Sequence, residues 1–144
     1  MARNIFILGL DQHNLDILRR LPGAGELAFH RLLTVEELQG QHIDVPVLLD
    51  RAVEELEAFD GPIDAIVSFW DFPMVVMVPI LCARYGLPSA NLLAVLRCEH
   101  KLWARNVQAG AIDELPAYGL LDLDIPAPVL PEGLRYPVWI KPVN

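Results

Sequence analysis

Positive charge is scarce in this chain. Eleven Lys and Arg stand against nineteen Asp and Glu, a formal charge of −8 over 144 residues. Nucleic-acid binding needs a basic footprint to neutralise phosphates, and none is visible, so the sequence argues against that partner. The same acidity disfavours attraction to an anionic membrane. Cysteine is scarce as well. Cys82 and Cys98 are too few for a disulfide framework and fall in helix-like sequence, which predicts reduced thiols in a cytoplasmic protein. Long apolar runs are missing too: Ile5 to Leu8 falls short of the roughly 7–15 residues of a signal-peptide core, and Asp11 soon interrupts it. The greasiest stretch, Phe72 to Ala83, holds two prolines and is shorter than the roughly 18 residues of a membrane span. It reads as a buried helix.

What is present is an apolar, globular composition, 53% hydrophobic, with strand and helix in alternation. Ile5–Gly9 is a continuous apolar run closed by glycine, as a strand buried on both faces should be. Asp11 to Asn14 offers capping side chains for a helix through Leu15, Ile17 and Leu18, which Leu21-Pro-Gly breaks. Leu27–Leu33 is a second strand, and Thr34 with Glu37 is a capping-box pattern. Val45 to Phe59 is helical, with Leu48, Ala52, Val53 and Leu56 on one face. Asp64–Phe69 is a third strand, and Asp71 is expected to cap the next helix, with Pro73 in its first turn and Gly86 at its end. A short strand at Leu87–Ala90 should then lead into helical sequence from Leu93 to Gln108. The expected fold class is therefore α/β, an open parallel sheet with helices on both faces, in a first domain spanning 1–92.

The last third is proline-rich. It offers two strand-like pieces, Ala117–Leu121 and Val138–Ile140, and the chain stops soon after the second. Such strands would normally be covered by a following helix, so the expectation is an N-terminal piece of something longer. An apolar surface left without its cover predicts self-association, as a homodimer, through this segment.

Ligands in open parallel sheets sit at the carboxyl ends of strands. The candidates there are Gly9 and Asp11, Trp70 and Asp71, and Ser89-Ala-Asn91. A dinucleotide fingerprint would need glycines where Asp11 and Asn14 stand, and there is no Walker loop or GxSxG elbow. His13, His30, His42 and His100 show no metal spacing and read as surface or helix-cap histidines. Asp71 is explained as a cap. Its functional reading has Trp70, Asp71 and Phe72 lining a substrate cleft.

Two lysines carry more. Lys101 lies in Glu99-His-Lys-Leu-Trp-Ala-Arg, at a break between two helical stretches. Lys141 follows Tyr136-Pro-Val-Trp-Ile and precedes Pro142. A lysine directly after a buried strand is costly unless it meets an anion, and two such lysines could clamp phosphate.

In this order the features resemble the front end of an ATP-grasp enzyme, of the kind found in biotin carboxylase and the carboxylate–amine ligases. The resemblance spans nearly the whole chain. A small pre-ATP-grasp α/β domain is followed, over 93–144, by linker helices and the first strands of the ATP-grasp subdomain. It implies that Lys101 and Lys141 contact the phosphates of ATP, and that the strand ends of the first domain touch a small carboxylate or bicarbonate. It also implies that the glycine-rich phosphate loop and the Mg²⁺-binding carboxylates would follow Asn144. One departure stands out: the family often has Asp-Lys where this chain has His100-Lys101. Two other readings stay open. One is a receiver domain with Asp71 as phosphoacceptor and Asp11 beside it; the other is a non-catalytic α/β binding module.

Overall fold

The structure, a computed structural model, describes residues 2–143. The chain forms two compact units, Met1–Leu92 and Leu93–Asn144. The first contains β1 (Arg3–Leu8), α1 (Gln12–Leu18), a 3-10 turn (Ala24–Glu26), β2 (Leu27–Leu32), α2 (Val35–Leu38), α3 (Val45–Glu57), β3 (Ala65–Val67) and α4 (Met74–Arg84). Its three strands form one parallel sheet in the order β2-β1-β3. The class is α/β with a small open parallel sheet, as the alternating pattern predicts.

β1 is the middle strand, so successive side chains on opposite faces, Phe6, Ile7 and Leu8, are all buried. That is why its sequence is continuously apolar rather than alternating. Phe6 and Leu8 join Leu32 and Ile66 of the neighbouring strands in one core. Leu48, Ala52 and Leu56 of α3 complete it, with Met74, Met77, Leu81 and Cys82 of α4. The three α3 residues recur every four positions and make a single stripe, which is the periodicity read from the sequence.

The helix ends are fixed by identifiable donors. Asp44 Oδ1 accepts from the Val47 N–H at 3.2 Å to start α3, with Pro46 in its first turn. Thr34 and Glu37 form the expected capping box on α2: Glu37 Oε2 accepts from the Thr34 N–H at 2.7 Å, and Thr34 Oγ1 from the Glu37 N–H at 3.2 Å. Asp71 does not cap α4. The position before the helix is Pro73, without a side-chain cap, and Asp71 Oδ1 instead takes the adjacent Phe72 N–H at 3.0 Å.

The end of α4 explains why the strand expected at Leu87–Ala90 does not form. Gly86 adopts φ +66°, its N–H reaches Ala83 O (3.4 Å), and the Leu87 N–H reaches Cys82 O (2.8 Å). This is the Schellman arrangement, in which a left-handed residue lets two N–H groups satisfy the last carbonyls of a helix. Leu87 has thereby committed its donor and Pro88 has none, so the segment has little to offer the edge of β3. Leu87 still packs against the core as a side chain.

In the second unit the long helical pattern is two helices, α5 (Leu92–Glu99) and α6 (Lys101–Gln108), divided at His100. Among the described residues, nothing beyond α6 is strand, so neither Ala117–Leu121 nor Val138–Ile140 is the strand expected. Pro116, Pro137 and Pro142 flank those pieces and would limit pairing at their ends. Tyr136 is 80% and Trp139 94% exposed. The buried strand that was to deliver Lys141 is therefore not formed.

Acid should weaken this fold through α2. The Thr34 N–H holds the Glu37 carboxyl below its usual range, helped by the Thr34 hydroxyl and by Arg51, with which Glu37 forms an ion pair. A carboxyl depressed in the folded state stabilises above its unfolded pKa, and that contribution disappears as pH falls through the folded value. The expected outcome is a Glu37→Gln variant less stable than the parent at neutral pH, with the gap closing below about pH 4. Thermal melts followed by circular dichroism across that range would show it.

Candidate functional site

The carboxyl ends of the first unit's strands are closed by a tryptophan. Gly9 follows β1 at φ +66°, and its carbonyl accepts a hydrogen bond from Trp70 Nε1–H at 3.1 Å. A Cβ on Gly9 would lie 3.3 Å from Leu38 Cδ1 and from the Trp70 ring. Glycine is thus required twice, for the left-handed backbone and for the close approach of the indole. Gly9 and Trp70, both drawn from the sequence as substrate contacts, do come together, through the indole hydrogen bond to the Gly9 carbonyl. The next strand end is unusual too: Leu33 is left-handed (φ +56°) and buried, with its N–H donated to Glu55 Oε2 at 3.1 Å.

Asp11 is engaged by its own helix. Its Oδ1 accepts from the Asn14 N–H (2.7 Å) and its Oδ2 from Asn14 Nδ2 (2.8 Å), which caps α1. The Asn14 N–H is the main reason its carboxyl sits below the usual range. Asp71 is exposed, as are the rings of Phe69 and Phe72 on either side of Trp70-Asp71. These groups lie on the surface beside the end of β3. A shallow cavity of about 540 Å³ lies elsewhere, lined by Phe6, His30, Arg31, Glu55 and Phe59 among others. Neither Gly9, Asp11, Trp70 nor Asp71 lines it. Its walls hold three mutually packed rings, Phe6, His30 and Phe59, with centroids 4.9 to 5.0 Å apart.

The two lysines both belong to the second unit and both are exposed. Lys101 opens α6, and its N–H donates to Val143 O at 2.7 Å. The segment carrying Lys141 therefore runs back to the start of α6, two residues from the second lysine. No strand is needed for this.

His100 sits between α5 and α6. It is the N-cap of α6: its Nδ1 accepts from the Trp103 N–H at 3.3 Å and its ring stacks on Trp103, with centroids 4.6 Å apart. An aspartate at that position would offer the same kind of cap. What sequence reading passed over on α6 is Arg105, one turn beyond Lys101 and half-buried. Its spacing of four residues was the available signal.

Among the described residues, no group of three or more His, Cys, Asp or Glu is placed to hold a metal ion. Among the same residues, no helix is long and apolar enough to cross a membrane. No family model matches the chain, and no curated protein or solved structure matches it either.

Two substitutions test this geometry. Gly9→Ala is expected to destabilise the first unit by about 1–2 kcal/mol, from backbone strain and crowding of Trp70, in urea unfolding followed by tryptophan fluorescence. His100→Ala should cost α6 about 1 kcal/mol and speed amide exchange at Trp103, whereas His100→Asp should preserve protection.

Proposed function

We propose that this chain provides the substrate-binding α/β unit and the first nucleotide-contacting segment of an ATP-grasp ligase that activates a carboxylate or bicarbonate. The first unit would be its Rossmann-like pre-ATP-grasp domain, and α5, α6 and the residues after them the start of the ATP-grasp subdomain. The observation that carries the reading is the 2.7 Å hydrogen bond from the Lys101 N–H to Val143 O, which gathers two separately encoded lysines into one region. Neither ammonium is buried, so both are available to an anion.

In this proposal a carboxylate oxygen of the substrate attacks the γ-phosphorus of ATP. A new P–O bond forms as the bond to ADP breaks, and the product is an acyl phosphate. An amine or other nucleophile then attacks the acyl carbon and phosphate leaves. Lys101 and Lys141 offset the charge of the phosphates throughout, which is the electrostatic part of such a transfer. The exposed groups at the end of β3, Phe69, Asp71 and Phe72, would border the acceptor. Mg²⁺ normally accompanies ATP in this chemistry. Among the described residues no group of three or more His, Cys, Asp or Glu is placed to hold a metal ion, and in this reading the Mg²⁺ ligands would come from outside them.

A cytoplasmic setting and a homodimer belong to the same proposal. Cys82 and Cys98 are both unpaired, as reduced thiols would be. The exposed Val129, Tyr136 and Trp139 supply apolar surface for a second copy. Light scattering should accordingly give a mass that rises toward a dimer with concentration and falls back in a Trp139→Ser variant.

The decisive assay uses these 144 residues joined to the remainder of an ATP-grasp ligase. Lys101→Ala and Lys141→Ala are each expected to raise KM for ATP at least tenfold, while the purified 144-residue chain alone turns over no ATP. Unchanged kinetics in both variants would remove the ligase reading.

A further inference from the structure

The cation row of α6 does not end at Lys101. The helix reads Lys-Leu-Trp-Ala-Arg-Asn-Val-Gln and carries two cations and no carboxylate, although the chain as a whole is strongly acidic. Residues four apart on a helix share a face, with Cβ atoms about 6 Å from each other, so Arg105 stands directly behind Lys101. Trp103 and Val107 point to the other side, where the Trp103 ring stacks on His100.

Arg105 differs from a solvated surface arginine in two respects. It is half-buried, and its Nη1 donates to a neutral acceptor, Gln108 Oε1, at 2.9 Å. The guanidinium is thereby oriented without being neutralised. The ion pairs Arg51–Glu37 and Arg84–Glu57 both lie in the first unit. A partly desolvated guanidinium held by an amide oxygen keeps its charge for an incoming anion.

We infer that Arg105 is a third phosphate-binding residue, completing with Lys101 and Lys141 a cradle for the polyphosphate chain of a nucleoside triphosphate. This rests on the reading of the two lysines given above. The division of labour follows from side-chain chemistry. The lysines act as mobile point charges, whereas the planar fork of Arg105 takes two oxygens of one phosphate and sets the register of the chain along α6. Gln108 keeps the fork turned along the helix, so Arg105→Lys retains the charge and loses the geometry.

The test is a nuclear magnetic resonance titration of the isotope-labelled 144-residue chain with sodium tripolyphosphate, following the amides of 97–108 and 138–143 and the Arg105 Nε–H. Shifts are expected in both segments and at the arginine side chain. Arg105→Gln should weaken binding about tenfold, the usual effect of one charge-assisted contact, and Arg105→Lys should recover only part of it. Thermal melts matching the parent would show that both variants fold. Parent-like affinity in Arg105→Gln, together with weakened binding in Lys101→Gln and Lys141→Gln, overturns the role of Arg105 and leaves the lysine reading standing. Parent-like affinity in both lysine variants, or no shift in either segment at millimolar tripolyphosphate, overturns the lysine reading and this inference together.

Discussion

A main-chain N–H has a single hydrogen to donate, and much of this molecule follows from where those donors go. At the end of α4 the N–H groups of Gly86 and Leu87 close the helix, and Pro88 brings none, so the sheet stops at β3 with three strands. At Gly9 the N–H goes to Leu32 O while the carbonyl receives the Trp70 indole, which ties the ends of all three strands into one closed edge. In the second unit the N–H of Lys101, left over at the start of a helix, is taken by Val143. That bond holds the backbone just after Lys141 at the start of α6. An orphan donor at a helix N-terminus must find a partner somewhere, and here it finds one forty-two residues along the chain.

The sequence was most legible where one physical cause dominates. β1 and α3 could be read because burial on two faces or on one stripe leaves an unmistakable apolar pattern. The capping box of Thr34 and Glu37 and the stop at Gly86 were readable because few residue types satisfy those positions. Legibility failed where local and distant donors compete. Asp71 has the chemistry of a cap, but it bonds the adjacent Phe72 and leaves α4 to begin at Pro73. Val138–Ile140 has the composition of a strand, but among the described residues nothing pairs with it, and apolar composition alone does not make a strand.

The candidate site shows the same division. Lys101 and Lys141 stand out by their neighbours in sequence, yet what brings their segments together is a backbone hydrogen bond from Lys101 to Val143 that no side-chain pattern encodes. Gly9 and Trp70 share a strand-end position in the sequence, and the structure adds a hydrogen bond between them. Asp11, attractive as an isolated acid, is held on both oxygens by Asn14. A carboxylate at the start of a helix has a local partner within reach, and that partner competes with any ligand.

The two thiols sit in contrasting surroundings. Cys82 is buried in the core, its Sγ directed at Ile66 O (3.4 Å), and burial pushes its ionisation upward; Cys98 lies exposed on α5. Alkylating reagents attack the thiolate, so they will mark the second and spare the first while the fold is intact. The unaltered chain therefore carries its own attachment point for a fluorophore, three residues before Lys101, and labelling at Cys82 becomes a gauge of how often the core opens.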